Sequence, residues 1–555
     1  MNRHSNYQPD SWPRSGFAAL AMGVGGYMLW PIGQAGLGLA AIASSGLWCG
    51  SVQQLNRAIA AWDRAAAHRS VWRKGAKMKR EARKMQGTAR FSSWDDLKGS
   101  TMNQKEGIFL GTLEGKPLYS STENSVLAVA GPGQGKTTSL AIPFALENPN
   151  CAVIIDVKGS LYATTHRARR AMGHRIWVLS PCFEELNEQF GGTVEVQDDG
   201  FDPAAHIRIE NPGVIDECEQ LAGFLIPPGK NASENDEFWR TFSIEILVAF
   251  MLLQLEREGR VSLVGLRALL LSDDAELPEL IDEMVASTAF SGVLSENGKR
   301  LSQVLVNSPK LWSSGLSGAC KALRQYDAHG FLGKHVSKAG VDFRRFRDEP
   351  TTCYIQIPSD KMGSAAYTAW IGMVISLAME HIARDGKREQ VTFLLDEFQN
   401  LPRLDPVLKG LALYREAGIQ FIFLVQFLAA LASKRLYADS WREILGCEIV
   451  TIFGATSDLE TLKLVSELAG QRGFQSPGAS TDPDRILEAE LGMSMNLGEQ
   501  GAPLIRPSDV RTLPKGKQII FAENLNAIVC DKRSYLEDRR LRRKADPNPY
   551  YRNHK

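Results

Sequence analysis

The chain has 555 residues and a formal net charge of +1, from 64 basic and 63 acidic residues. This length allows several domains and a large buried core, and the balanced charge excludes the uniformly basic field of a general nucleic-acid binder. The eight cysteines include no CxxC pair, which fits a reducing compartment and argues against a metal site built on cysteine. Cys151, Cys353 and Cys447 lie in or beside apolar runs and are predicted to be buried thiols.

An uncharged run extends from Ser15 to Asn56. A helix of this length, at about 1.5 Å per residue, would be roughly twice as long as one bilayer crossing. Because Pro31 and Gly33 interrupt the run, residues 1–56 are predicted to form a hairpin of two transmembrane helices, 16–31 and 35–55. A cleaved signal peptide and a buried soluble hairpin are the alternatives.

Residues 57–90 are rich in basic side chains and are predicted to form a juxtamembrane helix or linker. The basic residues include Arg73, Lys74, Lys77, Lys79, Arg80, Arg83 and Lys84. Positive charge beside a membrane helix stays on the cytoplasmic side, which places the bulk of the chain in the cytoplasm. The same run could instead bind anionic lipid or nucleic acid.

A glycine-rich turn follows an apolar run at residues 126–139, VLAVAGPGQGKTTS. Such a turn lets backbone N–H groups surround phosphate oxygens, and the helix N-terminus that follows adds positive charge. Lys136 is positioned to reach the β- and γ-phosphates and the Thr137 hydroxyl to hold Mg²⁺, although Ala130 stands where the strict pattern has glycine. The predicted nucleotide-binding residues are Gly131, Pro132, Gly133, Gln134, Gly135, Lys136, Thr137 and Thr138.

Residues 151–158, CAVIIDVK, form a second apolar run, which ends in Asp156 and Lys158. Continuous apolar runs are typical of parallel strands buried on both faces, and ligands bind beyond the carboxyl ends of such strands. We therefore predict an α/β nucleotide-binding domain formed by residues 91–212 and 346–530. Its second half has further predicted strands at 352–357 and 448–453.

Residues 213–345 differ from both flanks, because apolar residues recur there at helical spacing in 238–255 and 262–271. This stretch is predicted to be an inserted all-α domain. Its acidic residues are concentrated before residue 300 and include Asp273, Asp274, Glu276 and Glu279. Acidic surfaces are usually solvated faces, but this one would also suit a basic partner tail.

Residues 391–397, VTFLLDE, combine a buried-strand pattern with two terminal carboxylates. In P-loop enzymes an acid at the tip of such a strand holds the Mg²⁺ ion and its water shell, and we assign that role to Asp396. Glu397 is then placed to orient or deprotonate the attacking water. The alternative is a strand that ends in a solvated acidic turn, which is less favoured behind a phosphate-binding turn.

Residues 421–426, FIFLVQ, form a further apolar strand that ends in an amide. Gln426 would sense the γ-phosphate or position the attacking water, or it would be an ordinary polar residue at a strand end. The last 25 residues, 531–555, are dense in arginine and lysine. They are predicted to be a helix that fades into a mobile basic tail.

The order of these features resembles that of the type IV secretion coupling proteins, the TraG/TraD-like conjugative ATPases. The resemblance rests on GTARF at 87–91, GIFLG at 107–111, DVKG at 156–159, LLDEFQNL at 394–401, and AGI at 417–419 followed by Gln426. Together these motifs are specific, and the resemblance covers nearly the whole chain.

The resemblance implies a RecA-like P-loop ATPase motor of the FtsK/HerA type that uses ATP and Mg²⁺. It also implies a homo-hexamer in the bacterial inner membrane, with a neighbouring subunit supplying an arginine to the γ-phosphate. Arg415 in YREAG matches the position of that arginine; from the sequence alone it would be a cation at a helix end. The family's all-α domain recognises cargo, and 213–345 corresponds to it. Many relatives have a sizeable periplasmic loop between their membrane helices, which this chain almost lacks.

Three functions are compatible with these features. The leading hypothesis is a motor that brings a relaxase–DNA complex, a protein effector or both to a type IV secretion channel. Such a motor would hold DNA without reading its sequence. The second is a membrane receptor or scaffold that uses ATP only to assemble its ring, which Glu397 beside Asp396 disfavours. The third is an FtsK-like DNA pump outside secretion, although 25 terminal residues are too few for a typical DNA-binding domain.

Overall fold

The computed structural model of the chain describes Arg57 and residues 88–228, 233–273, 275–433, 436–478 and 496–551. The predicted transmembrane helices, 16–31 and 35–55, lie outside these residues, as does nearly all of the predicted juxtamembrane helix. Residues Thr88–Arg472 and Gly501–Lys555 belong to one compact unit, which contains the large sheet and the candidate site.

The centre of this unit is an eleven-stranded sheet with the strand order β2-β1-β13-β12-β9-β3-β8-β7-β4-β6-β5. A separate pair is formed by β10 and β11. The strands are β1 Ile108–Leu113, β2 Lys116–Ser120, β3 Val126–Ala130, β4 Cys151–Ile155, β5 Arg175–Leu179, β6 Thr351–Ile355, β7 Val391–Leu395, β8 Ile419–Val425, β9 Ile449–Phe453, β10 Gln471–Gly478, β11 Asn496–Pro503, β12 Lys517–Ala522 and β13 Ile528–Asp531.

The seven strands from β9 to β5 are parallel, whereas β12, β13, β1 and β2 extend the sheet as antiparallel strands. Successive side chains of β3 enter two different apolar cores, with Leu127 and Val129 on one face and Val126 and Ala128 on the other. The predicted apolar runs therefore mark strands that are buried on both faces.

Helices cover both faces of the sheet. They are α1 Ile142–Glu147, α2 Ser160–Ala171, α3 Phe183–Phe190, α4 Val214–Leu225, α5 Glu234–Glu258, α6 Leu263–Leu270, α7 Glu276–Ala286, α8 Val293–Asn307, α9 Pro309–Leu323, α10 Phe331–Val336, α11 Ala365–Arg384, α12 Asp405–Leu413, α13 Leu428–Leu431, α14 Leu459–Ala469, α15 Pro507–Arg511 and α16 Arg539–Lys544. A π-type turn, Thr137–Ala141, leads into α1. The 3₁₀ turns are Trp94–Leu97, Phe290–Gly292, Phe343–Arg345, Phe398–Asn400, Ala438–Gly446 and Pro549–Tyr551.

The described stretch between β5 and β6 is helical, and its main helix is α5. Ser233 and Asp236 form a capping box at the start of α5, and Gly259, with φ 68°, ends it. The buried residues of this stretch share one continuous apolar core with α11 and one face of the sheet. Helices α5 and α11 have the length and composition of membrane spans, but 67% and 56% of their most apolar windows are buried inside the protein.

The C-terminal segment contains a helix, as expected, but the described part of it is packed against the compact unit and is not a free tail. Its first residue, Asp531, ends the sheet strand β13, which pairs with β12. The Asp538 side chain then caps α16 by accepting hydrogen bonds from Arg540 N at 2.8 Å and Leu541 N at 3.3 Å. Leu541 is only 1% exposed, so this helix packs into the core despite its basic composition.

Candidate functional site

The glycine-rich turn lies between β3 and the helix that begins at Thr137. Gly133 and Gly135 have φ angles of 70° and 87°, in the left-handed region where glycine is favoured. The turn is closed by Gln134 N, which donates to Gly131 O at 3.1 Å, and by Ser139 N, which donates to Gly135 O at 2.8 Å. The chain therefore adopts the compact path that a phosphate-binding turn requires.

Lys136 joins this turn to the end of β7. Its Nζ atom lies 3.1 Å from Asp396 Oδ1 and 2.7 Å from Glu397 Oε1. The two carboxylates are only 8% and 7% exposed. Because β3 and β7 are parallel and separated by β8 alone, their carboxyl ends bring these residues together across 260 positions of sequence.

The two carboxylates have pKa values displaced in opposite directions. Burial raises the pKa of Asp396, and the charge of Glu397 adds to this, while Lys136 opposes it. Burial would also raise the pKa of Glu397, but Lys136 and hydrogen bonds from Gln399 and Gln426 lower it below its usual value. Glu397 is therefore ionised at neutral pH, as a group that accepts a proton from water must be.

Two amides fix the orientation of Glu397. Its Oε2 atom accepts hydrogen bonds from Gln426 Nε2 at 2.7 Å and from Gln399 Nε2 at 2.6 Å. Gln399 in turn accepts a hydrogen bond from Gln426 N at 3.2 Å. The backbone of Glu397 has φ 53°, an uncommon value for a residue other than glycine. Backbone strain of this kind concentrates at functional sites.

A third buried acid, Asp156, lies beyond the end of β4. It is 1% exposed, and its Oδ2 atom accepts a hydrogen bond from Tyr162 N at 2.8 Å. Burial, with a further contribution from Asp396, raises the pKa of Asp156 to about 7. With its pKa raised in this way, Asp156 carries less negative charge near neutral pH than an ordinary aspartate, which limits the negative charge beside Asp396.

The turn and the carboxylates open into one cleft of about 710 Å³. Its lining includes Gly131, Pro132, Gly133, Gly135, Lys136, Thr137, Thr138, Asp396, Glu397 and Gln426. Gln134 is the predicted nucleotide-binding residue that is absent from this lining. A larger cleft of about 830 Å³ lies beside α2 and β5, but its lining contains no glycine-rich turn and no acid from β7.

Sequence comparison places the chain in a family. Residues 74–553 match the family described as Type IV secretory system Conjugative DNA transfer. This match covers most of the 555 residues. The chain belongs to this family.

Relatives within and near the family support the same assignment. Protein VirD4 of Agrobacterium fabrum (strain C58) is 25% identical over 491 residues, covering 82% of this chain and 67% of the relative. The conjugal transfer protein TraG of Escherichia coli is 21% identical over 466 residues, covering 78% and 71% of the two chains. The chain thus spans about two thirds of the length of these relatives.

Solved structures of the plasmid coupling protein TrwB have a similar fold. The TrwB complex with ADP and Mg²⁺ has a TM-score of 0.58 at 16% identity, covering 80% of this chain and 94% of TrwB. The complex with the ATP analogue ADPNP has a TM-score of 0.57, with 80% and 93% coverage. The predicted α/β fold is therefore confirmed for the large, mainly parallel sheet.

Arg415, the predicted trans arginine, lies away from the cleft. It precedes β8, at the amino-terminal edge of the parallel strands, and its side chain is 62% exposed. Its Nη1 atom lies 2.7 Å from Glu448 Oε1, and Glu448 Oε2 accepts a hydrogen bond from Ser125 N at 2.7 Å. Because the cleft lies at the carboxyl-terminal edge, Arg415 does not contact the cleft of its own subunit.

Several residues that line the cleft were not predicted from the sequence. They are Ser160, Gln189, Ser359, Asp360, Asn548 and Tyr550. Ser359 and Asp360 follow the parallel strand β6, so the rule that ligands bind beyond strand ends could have indicated them. Asn548 and Tyr550 had no such signal, because they lie in the predicted tail, far from any strand.

Proposed function

We propose that this chain is a P-loop ATPase that couples DNA or protein substrates to a type IV secretion channel. The observation that carries the ATPase part is the contact of Lys136 with both Asp396 and Glu397 inside the cleft, at 3.1 and 2.7 Å. Membership of the conjugative DNA transfer family supports the transport part. Among the relatives, TraG of Escherichia coli is described as a conjugal transfer protein, and VirD4 of Bartonella quintana, 23% identical to this chain, as a type IV secretion system-coupling protein.

ATP with Mg²⁺ is the nucleotide that we propose for the cleft. The donors fit this metal, because the Thr137 hydroxyl and the Asp396 carboxylate are hard oxygen ligands of the kind that Mg²⁺ prefers. Both line the cleft beside Lys136. Thr137 and Asp396 would hold the ion, and when bound it would supply positive charge against the charge of the phosphates. The ADP–Mg²⁺ and ADPNP complexes of TrwB support this assignment for the same fold.

Hydrolysis would depend on three residues of this chain. Lys136 would leave its two carboxylate partners for the β- and γ-phosphates, since these phosphates together carry more negative charge than the two carboxylates. Glu397 would then be free to accept the proton of the attacking water. Gln426, which holds Glu397 at 2.7 Å, would keep that carboxylate aimed at the water while contacting the γ-phosphate side.

A ring of identical subunits, with six as the expected number, would complete the site. Arg415 is exposed on the edge opposite the cleft, so in a head-to-tail ring it would face the cleft of a neighbouring subunit. There its guanidinium would stabilise the charge of the transition state. Release of Arg415 from Glu448 would be required, and their ion pair is largely solvent-accessible on the arginine side.

Membrane attachment and cargo recognition complete the proposal. The apolar run of residues 15–56 would anchor the chain in the bacterial inner membrane as a multi-pass protein, with the described unit in the cytoplasm. The helical stretch from α4 to α10 would act as the cargo-binding domain for a relaxase–DNA complex, an effector protein or both. Channel components would be further partners, and DNA would be held without sequence preference.

The test of this proposal is ATP hydrolysis by the full chain in detergent, with and without single-stranded DNA. Lys136→Ala should abolish hydrolysis in both conditions, because it removes the cation that binds the phosphates. Lys98→Ala is the matched control, since Lys98 is an exposed lysine paired with Asp95. Wild-type activity no higher than that of Lys136→Ala would contradict the ATPase.

The scaffold hypothesis makes a different prediction in the same assay. A scaffold would bind ATP and assemble without turnover, so Glu397→Gln would change nothing. The hydrogen bonds from Gln399 and Gln426 to Glu397, at 2.6 and 2.7 Å, favour the motor. An assembly switch has no use for a carboxylate that is held ionised and oriented.

A further inference from the structure

The part of the C-terminal segment that follows β13, residues 532–551, begins behind the phosphate-binding turn. Lys532 Nζ donates a hydrogen bond to the carbonyl oxygen of Gln134. Three residues later, Tyr535 N donates to Thr138 O at 2.9 Å, and the Tyr535 side chain is 2% exposed. The segment is thus fixed to the turn and to the first helical residues after it.

The segment then crosses α1 and α2. Arg540 forms an ion pair with Glu147 at 2.8 Å and donates to the Tyr119 hydroxyl at 3.0 Å. Asp546 N donates to Thr164 O at 2.9 Å, and the Asp546 carboxylate pairs with Arg167 at 2.6 Å. These contacts keep the chain on the surface of the two helices that flank the cleft.

The end of the segment forms part of the cleft itself. Asn548 and Tyr550 both line it. The Tyr550 hydroxyl donates to Lys158 O at 2.8 Å, and its ring meets the edge of Phe190 at a centroid distance of 6.4 Å. Asn548 is 6% exposed and accepts a hydrogen bond from Tyr550 N at 3.0 Å.

The strand order shows which side of the cleft these residues occupy. Neighbouring strands follow the order β3, β8, β7, β4. The glycine-rich turn follows β3, Gln426 follows β8, Asp396 follows β7 and Lys158 follows β4. Lys158, whose carbonyl oxygen accepts the hydrogen bond from Tyr550, therefore follows the strand that lies beyond β7 as seen from β3.

We propose that Asn548 and Tyr550 close the γ-phosphate side of the nucleotide cleft, and that hydrolysis depends on this closure. The inference rests on the proposed ATPase function and adds two positioning residues to its site. A closed wall excludes bulk water, which strengthens the interactions of Lys136 and Glu397 with the reacting groups. Tyr550 supplies the apolar ring of that wall, and its bond to Lys158 holds the ring in place.

The first test measures kcat and KM for ATP, with the Kd for ADP, on full-length variants in detergent. Tyr550 is 50% exposed, so Tyr550→Ala should fold. We expect Tyr550→Ala to lower kcat about tenfold and leave the Kd for ADP within about twofold, because the wall faces the γ-phosphate. Tyr550→Phe keeps the ring and should retain more activity. Leu536→Ala, an exposed residue of the same segment outside the cleft lining, is the control.

Two outcomes would overturn the inference while leaving the ATPase intact. Wild-type kinetics in Tyr550→Ala would show that closure is not needed. Equal weakening of ADP and ATP binding with unchanged kcat would show that Tyr550 contacts the base instead. By contrast, hydrolysis that survives Lys136→Ala would overturn the proposed function itself, so the two failures are distinct.

A second test uses trypsin, because α16 has the sequence RRLRRK at 539–544 and is thus rich in cleavage sites. If binding of the γ-phosphate stabilises the closure of the cleft by Asn548 and Tyr550, ADPNP with Mg²⁺ should slow cleavage of the C-terminal segment more than ADP does. The difference should disappear in Tyr550→Ala and Lys136→Ala. Equal protection by ADP and ADPNP in the wild type, or none, would contradict the linkage.

Discussion

Gln426 donates a hydrogen bond of 2.7 Å to Glu397, a residue 29 positions earlier in the chain. The two residues follow the adjacent strands β8 and β7, so the sheet itself sets their separation. Gln399 binds the same carboxylate oxygen at 2.6 Å. Glu397 is therefore oriented and kept ionised before any substrate binds, which is the preorganisation that a base for the attacking water requires.

Glu397→Gln should separate nucleotide binding from hydrolysis. The amide retains the shape of the side chain but cannot accept a proton, so we expect single-turnover hydrolysis to fall by roughly 100-fold or more. Affinity for an ATP analogue should stay near that of the wild type. Glu389→Gln is the control, since Glu389 lies before β7, at the opposite end of the strand. If Glu397→Gln hydrolysed ATP within a few-fold of the wild-type rate, Glu397 would not be the base.

Gln426→Ala should change the pH dependence of hydrolysis. The hydrogen bond from Gln426 helps to lower the pKa of Glu397, so its loss raises that pKa. A base with a raised pKa loses its proton at higher pH, and the acidic limb of the pH–rate profile should move upward. Gln197→Ala, outside the cleft lining, should leave the profile unchanged. An acidic limb that stays in place or moves downward would contradict this role.

Lys532→Met should weaken ATP binding because it removes the donor that holds the Gln134 carbonyl behind the turn. Burial and the nearby Lys515 lower the pKa of Lys532 to about 8. The wild-type amine therefore loses its charge as the pH rises through about 8, and ATP affinity should fall between pH 7 and 9. Isothermal titration should show this fall in the wild type and its absence in Lys532→Met. If ATP affinity depended on pH in the same way in both proteins, Lys532 would not be the group that causes this dependence.

Arg415 can be tested by mixing two inactive proteins. Lys136→Ala lacks the phosphate-binding lysine and Arg415→Ala lacks the proposed trans arginine, so each should be inactive alone. In mixed rings, an intact cleft can meet an intact Arg415 from the neighbouring subunit, and hydrolysis should reappear. Arg388→Ala is the control, because Arg388 is another exposed arginine on the same edge of the sheet. No recovery in rings shown to be mixed would contradict action in trans.

The parallel strands and the paired carboxylates were predictable because local patterns encode them. The apolar runs of β3, β4, β7 and β8 need burial on both faces, and a sheet supplies it. The meeting of Lys136 with Asp396 then follows from the rule that parallel strands present their carboxyl ends at one edge. Strand ends were less accurate, since the predicted strand 391–397 ends at Leu395 and leaves both acids in the turn.

The antiparallel edge and the C-terminal segment were not predictable in the same way. Strand β13 is only four residues long, and it is fixed in the sheet by pairing with β12 and β1. A local sequence pattern does not show such pairing. The basic residues of α16 suggested a solvated tail, yet Leu541 is 1% exposed and packs this helix against the core. Tyr550 reaches the cleft through a carbonyl contact with Lys158, 392 positions away.

The central claim is that one nucleoside triphosphate is held by two distant parts of the chain. Hydrogen–deuterium exchange of the full chain with ADPNP and Mg²⁺ tests it most directly. We predict slower exchange in both the 131–139 peptide and the 394–401 peptide of the wild type, and in neither peptide of Lys136→Ala. Protection of only one of the two peptides, or equal protection in Lys136→Ala, would contradict the account.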